Sequence, residues 1–260
     1  MTQGATVQVL LLGPIEVRVG GRQVPVSPLE RALVALLALT PARTVSTTAI
    51  VDALWGDNPP QSARTRVQAL VSGVRRKLAG SANALATRAP GYALAAQIDN
   101  VLFGRLLDVG RDCVAKRDAE RACAAFDEAM NLWRGPALGG VDAPYAGVAR
   151  ATLSEAQLLA VEEHAEAQLA CGRHRALTPS LVEFVATHPF RERSRGQLMV
   201  ALYRSGQQSE AIAVYRAGRD LLHREMGVEP CPQLQELHQR ILRHDPCVAS
   251  ASHHGLPGLP

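Results

Sequence analysis

The sequence predicts a mainly α protein with small β elements, and three observations carry that expectation. Apolar residues fill 47% of the 260 positions but aromatic ones only 4%, with helix-forming Ala and Leu dominant. From about Asn100 onward the apolar residues recur at helical spacing throughout. Before that point, short β-branched runs are punctuated by Gly and Pro, as in a small sheet with tight turns. A chain of this length can bury one large core or two medium ones.

Taken in order, Val7–Gly13 and Ile15–Val19 read as two short strands broken at Gly13-Pro14. Gly20-Gly21 signals a tight turn, and Arg22–Val26 is a third strand that Pro25 demotes to an edge. A first helix starts after Ser27, which can cap it, with Pro28 at the first helical position and Glu30 closing a capping box. Leu29, Leu33, Leu36 and Leu37 repeat at helical spacing, and Pro41 marks the stop. Ser46 caps a second helix, with Val45 and Ile50 spaced as a hydrophobic staple. It runs through Val51 and Leu54 to Trp55, and Gly56 stands where a left-handed residue ends a helix. Asp57-Asn-Pro-Pro60 is a rigid loop.

A third helix is expected from about Ser62 to Leu78. At 100° per residue, Val67, Leu70, Val71, Val74 and Leu78 fall on one face. Thr65, Gln68, Ala69, Ser72 and Arg76 fall on the other, with Arg66 and Arg75 on its shoulders, and no acid occurs from Ser62 through Gly80. Leu85–Arg88 and Tyr92–Leu94 flank Ala89-Pro-Gly91 and read as a hairpin. Strands, three helices and a hairpin make a winged helix-turn-helix. A solvated amphipathic helix would account for the third helix alone. The missing acids, the capped helix before it and the hairpin after it favour insertion into a major groove about 12 Å wide.

The rest reads as an all-α helical-repeat domain. Gly172 and Gly206 lie 34 residues apart, each ending one apolar helix (Leu158–Cys171 and Gln197–Ser205) and preceding another. That period is the one of tetratricopeptide repeats. Val101–Arg134 supplies an earlier helix pair, with its turn at Arg117-Asp118 and Phe126, Met130 and Trp133 on its second helix. The expected division is a winged-helix domain over 1–96, a tetratricopeptide-like domain over 97–245 and a disordered tail over 246–260.

Charge separates the two halves. Residues 1–95 carry ten basic and four acidic side chains, whereas the remainder carries eighteen and twenty. A polyanion suits the first half and a protein partner the second. The longest apolar run, Ala32–Leu39, is far shorter than a membrane span, and the N-terminus lacks the charged start of a secretory signal. The chain is therefore expected in the cytoplasm, away from membranes. Five scattered cysteines without a C-x-x-C pair support neither a disulfide framework nor a zinc site, and reduced, structural thiols are expected. Cys171 and His174 are close in sequence, but no third residue orients them, so neither catalysis nor a cofactor is expected.

Many stretches together resemble one family. They are Leu11–Val17, Asp52–Asp57, Pro59–Arg64, Ser72–Arg76 and Pro90–Tyr92 in the first half. In the second they are Leu132–Pro136, Cys171–His174, His188–Glu192, Leu198–Gly206 and Gly227–Pro230. The chain to about Pro246 is similar to the Streptomyces antibiotic regulatory protein family, in which an OmpR-type winged helix precedes a bacterial transcriptional activation domain of tetratricopeptide-like helices. Relatives often have Asn where Thr65 sits, a larger residue at Ala69, Arg at Gly73 and Gly at Cys231. No P-loop motif G-x-x-x-x-G-K-[ST] occurs, so the ATPase module of larger relatives is not expected. A receiver domain before the winged helix is not expected, so phosphorylation of an Asp there is not the expected switch.

The resemblance implies an activator of a secondary-metabolite gene cluster. It would bind direct repeats in double-stranded DNA near a promoter, as a homodimer at least on DNA, and recruit RNA polymerase holoenzyme. Thr65, Gln68 and Arg76 would read bases, with Ser72 at the groove, while Arg64, Arg75 and Arg88 position on phosphates and Arg66 flanks them. An adaptor whose basic half docks a protein is the other expectation to be tested.

Overall fold

The computed structural model describes residues 5–78 and 81–249. They group into two compact units, one from Met1–Asp108 with Glu128–Leu158 and the other from Val109–Asp127 with Leu159–Pro260, each as far as it is described.

The first unit opens with β1 (Val7–Leu10), β2 (Glu16–Val19) and β3 (Arg22–Val24), paired antiparallel in the order β3-β2-β1. Helix α1 (Pro28–Leu39) begins with the expected capping box: the Ser27 hydroxyl accepts from the Glu30 amide and the Glu30 carboxylate from the Ser27 amide. A two-residue strand β4 (Val45–Ser46) leads into α2 (Thr47–Trp55), capped by Ser46. Helix α3 (Ala63–Lys77) packs on both α1 and α2. The hairpin of β5 (Leu85–Arg88) and β6 (Gly91–Leu94) joins β4 in a sheet of order β4-β6-β5. Strand β7 (Gln97–Ile98) returns to the first sheet and lies parallel to β1. Strands of two residues carry no periodicity, which is why β4 and β7 were not expected.

Past β7, α4 (Asp99–Ala115) begins on a buried carboxylate. Asp99 is 5% exposed and accepts from the amides of Leu11 (2.7 Å), Leu12 (3.0 Å) and Asn100 (2.8 Å). Burial pushes its carboxyl above the usual range, and these bonds with the nearby Arg134 guanidinium offset only part of that push. The segment 132–141 completes the same corner. Arg134 N donates to Leu12 O, Leu138 N to Leu11 O and Gly139 N to Gly13 O, while Gly139 O accepts from Ile15 N. Gly13 sits at φ +148°, and a Cβ there would lie 2.9 Å from Arg134 Cβ, so only glycine fits. Leu11–Val17 and Leu132–Pro136, two of the stretches that carry the resemblance, thus meet.

Helix α5 (Ala119–Met130) ends before Trp133, which was expected on it. Trp133 instead turns edge-on to Phe103, ring centroids 5.5 Å apart. Helix α6 (Ala146–Ala170) starts twelve residues before the expected Leu158. Its early inward positions, Ala146, Leu153 and Ala160, are too small and sparse to raise an apolar signal.

The second unit continues with α7 (His174–Thr187), α8 (Glu192–Arg204), α9 (Gln208–Met226) and α10 (Pro232–Leu242). Gly172 and Gly206, at φ +73° and +81°, occupy equivalent turns of successive helix pairs, as their spacing predicts. The core gathers Leu169, Leu177, Leu181, Met199, Leu234 and Ile241. The expected disordered tail begins too early at 246. Helix α11 (Pro246–Ala249) places Val248 in the core, and Val248 O accepts from Arg204 Nε at 2.9 Å. Residues 250–260 lie outside the described residues.

Two stability measurements follow from the first unit. Asp99→Ala leaves three amides without their acceptor, so urea unfolding should show a loss of ~3 kcal/mol at unchanged slope. The second concerns Glu30. Burial alone would raise its carboxyl, but the bonds from Lys77 and Ser27 outweigh that and hold it below the ordinary 4.5. Such a group contributes stability that is present above its unfolded value and lost as pH falls through its folded one. The stability advantage of wild type over Glu30→Gln should therefore shrink between about pH 6 and about pH 3.

Candidate nucleic-acid interface

Helix α3 owes its placement to its apolar face. Ala63, Val67, Val71 and Val74 are buried, and Leu78 closes the row at 1% exposure. Arg64, Thr65, Arg66, Gln68, Ala69, Ser72 and Arg76 are exposed on the remaining surface. Gln68, Ser72 and Arg76 form an i, i+4 row about 12 Å long. The Ser72 hydroxyl donates to Gln68 O at 2.9 Å, which leaves its oxygen as an acceptor. Small and planar side chains on this row allow the helix axis to approach a base-pair edge closely.

The charge of the surface is one-signed. No acid occurs between Asp57 and Asp99 in the sequence, whereas six basic residues do. Among them Lys77 is spent internally, pairing with Glu30. Gly73 faces Glu30, and a Cβ there would lie 2.5 Å from Glu30 Oε1, so any other residue would have to displace that oxygen. Arg64, Arg66, Arg76 and Arg88 make no ion pair among the described residues, so their charge is available to an anionic partner.

Arg75 behaves differently from its neighbours. It is half-buried, and its guanidinium reaches β5, donating from Nε to Leu85 O (2.9 Å) and from Nη2 to Thr87 Oγ1 (2.7 Å). A planar fork with two acceptors on one strand fixes the hairpin beside the helix. The sequence placed Arg75 on the helix shoulder but gave no sign of Thr87 as its partner, because the pair joins two elements across a turn.

The hairpin tip is tied down as well. Gly91 packs so closely on β4 that a Cβ would fall 1.8 Å from Val45 O. Thr47 donates both its amide (3.2 Å) and its hydroxyl (3.3 Å) to Pro90 O, which anchors the tip to the start of α2. Arg88 pairs with Gly91 across the hairpin and is exposed. At the other end of α3, an open groove of about 300 Å³ is lined by Thr48, Val51, Pro59, Pro60 and residues 61–65. Among the described residues no cluster of three or more His, Cys, Asp or Glu could hold a metal ion, and no helix is long and apolar enough to cross a membrane.

Comparison with known proteins agrees with this geometry. Residues 98–242 match the family model described as bacterial transcriptional activator domain, and residues 21–94 the one described as transcriptional regulatory protein, C terminal. The regulatory protein DnrI of Streptomyces peucetius is 36% identical over 93% of this chain and 94% of its own length. The regulatory protein AfsR of Streptomyces coelicolor is 40% identical over 93% of this chain, but the match spans only 25% of AfsR. A solved structure of Mycobacterium tuberculosis EmbR in complex with a low affinity phosphopeptide superposes with a TM-score of 0.91 at 33% identity, covering 95% of this chain and 68% of that one. With a family match over more than half of its length and a relative matched almost end to end, the chain belongs to the Streptomyces antibiotic regulatory protein family of DNA-binding transcriptional regulators.

Proposed function

We propose that this protein activates a secondary-metabolite gene cluster by binding direct repeats in promoter DNA and recruiting RNA polymerase holoenzyme. The observation that carries the reading is the acid-free exposed face of α3, with β5 and β6 held beside it by Arg75. In this reading α3 enters the major groove, Thr65, Gln68 and Arg76 contact base edges, and Ser72 lies against the groove floor. Arg64, Arg66 and Arg88 bind phosphates on either side. Arg75 contributes chiefly by fixing the angle between helix and wing, since two of its donors are already taken.

Binding to repeated half-sites asks for at least two copies on the DNA, and a homodimer is the simplest arrangement. Residues 1–96 would serve recognition and 97–245 activation, with the corner at 132–141 supporting the recognition half from within the activation half. The protein would work in the cytoplasm, where the chromosome is accessible.

Footprinting on the upstream regions of the genes next to its own should reveal protected direct repeats. Absence of any retarded band with these regions at low salt would instead favour a protein-docking adaptor. On the footprinted operator, Arg76→Ala should weaken specific binding by ~1–3 kcal/mol and relax preference at one base position. Unchanged binding would show that α3 does not read the groove as described. Arg88→Ala should act differently, weakening all sequences alike and lowering the salt slope by about one.

A further inference from the structure

The sulfur atoms of Cys123 and Cys171 lie 3.5 Å apart within the second unit, and DNA binding makes no use of them. Cys123 projects from α5 and is 1% exposed, whereas Cys171 stands in the turn after α6 and is partly exposed. The pair is bracketed by polar groups in matching order. Glu120, Cys123 and Asp127 fall on one face of α5 at helical spacing. Opposite them stand Arg173, which pairs with Glu120, then Cys171, then His164, whose Nε2 is 2.9 Å from the Asp127 carboxylate. Two polar pairs thus hold the helix face and the turn in register, with the thiols aimed at each other between them.

We propose that Cys123 and Cys171 form a disulfide by exchange with a low-molecular-weight disulfide, pinning α5 to the turn after α6. The sulfurs must close by about 1.5 Å to reach bonding length. Gly172, next in the chain, adopts φ +73° and its Cβ side meets nothing within 4 Å beyond its chain neighbours, so the turn is not wedged in place on that side. Exposure sets the order of events. The Cys171 thiolate attacks one sulfur of the small disulfide, whose S–S bond breaks, and the departing half takes up a proton as a thiol. Cys123 then gives its proton to water and attacks Cys171 Sγ, expelling the second half, which is protonated in turn. Two protein thiols lose two electrons and two protons, and the small disulfide becomes two thiols.

The site responds slowly. Burial pushes the Cys123 thiol up to about 12 and raises that of Cys171 as well, so little thiolate is present at neutral pH. Glu120 and Asp127 add to this and Arg173 opposes it. A sustained shift in thiol–disulfide balance, rather than a brief pulse of oxidant, is the signal such a pair registers.

The test equilibrates the folded full-length protein in a glutathione buffer that is almost wholly disulfide, followed by alkylation and mass spectrometry. The expected result is a loss of about 2 Da, a cross-linked peptide joining Cys123 to Cys171 and slower hydrogen exchange in α5, all reversed by dithiothreitol. A variant with Cys113, Cys231 and Cys247 changed to Ser should behave the same way, and Cys171→Ser should lose the cross-link. The proposal is overturned if both thiols remain alkylatable, if Cys171 stops at a glutathione adduct, or if the cross-link joins other cysteines.

Discussion

One carboxylate organises the first unit. Leu11 and Leu12 are fully buried at the end of β1, where the chain must turn without leaving their amides unpaired. Asp99 takes both, and the carbonyls of the same two residues are taken by Leu138 and Arg134. The corner is therefore closed from three distant places in the chain, and none of the three can form it alone. The same arrangement seats α1, because Arg31 reaches Gly140 O and Tyr145 donates its hydroxyl to Ala32 O at 2.7 Å. Since α3 packs on α1, the platform of the proposed recognition helix rests on residues within the stretch that matches the bacterial transcriptional activator domain.

A second carboxylate carries that support to α3. Glu30 caps the start of α1 through the Ser27 amide and pairs with Lys77 at the end of α3, while its second carboxylate oxygen lies over Gly73. The glycine would be unfavourable in an isolated helix, by up to ~1 kcal/mol against Ala. Here it leaves room for Glu30 Oε1 while Oε2 of the same carboxylate binds Ser27 and Lys77, so a local weakness is offset by a contact between elements. Arg75 adds the last fixed angle, between α3 and the hairpin. Helix and hairpin then present their free side chains as one pre-ordered surface, and on the proposed reading that order lowers the entropy that DNA binding must overcome.

The parts of this fold that sequence could foresee are those decided within a few residues. Ser27 and Ser46 cap as their patterns require, α3 keeps the bounds its apolar face predicts, and Gly172 and Gly206 turn where their spacing places them. What escaped was decided between segments far apart. Asp99 looks like any first-turn acid until its partners 88 residues earlier are seen. Cys123 and Cys171, 48 residues apart, have no spacing that marks them as neighbours. The start of α6 was hidden for another reason, since alanines that pack well against neighbours carry little hydrophobic signal. The candidate interface followed the same division: the exposed row of α3 was apparent from periodicity, while the commitment of Arg75 to β5 was not.

That commitment bears on how a basic surplus should be interpreted. Twenty-six of the 28 basic residues are Arg, and many act as internal staples for carbonyl groups. Arg134 binds Pro14 O, Arg150 binds Ala137 O and Val141 O, and Arg195 binds Val214 O and Pro189 O. A planar fork that cannot lose its proton suits this task, because several loop carbonyls can share one side chain. The surplus of the first 95 residues therefore overstates the charge offered to a partner: Arg18 is held by Glu16, Lys77 by Glu30 and Arg75 by the wing. What remains around α3 is Arg64, Arg66, Arg76 and Arg88, four cations spread over the helix and the hairpin tip with no acid between them. On the proposed reading their value to DNA binding comes less from the basic surplus as a whole than from their grouping on one acid-free surface, since Arg18, Arg75 and Lys77 are committed internally.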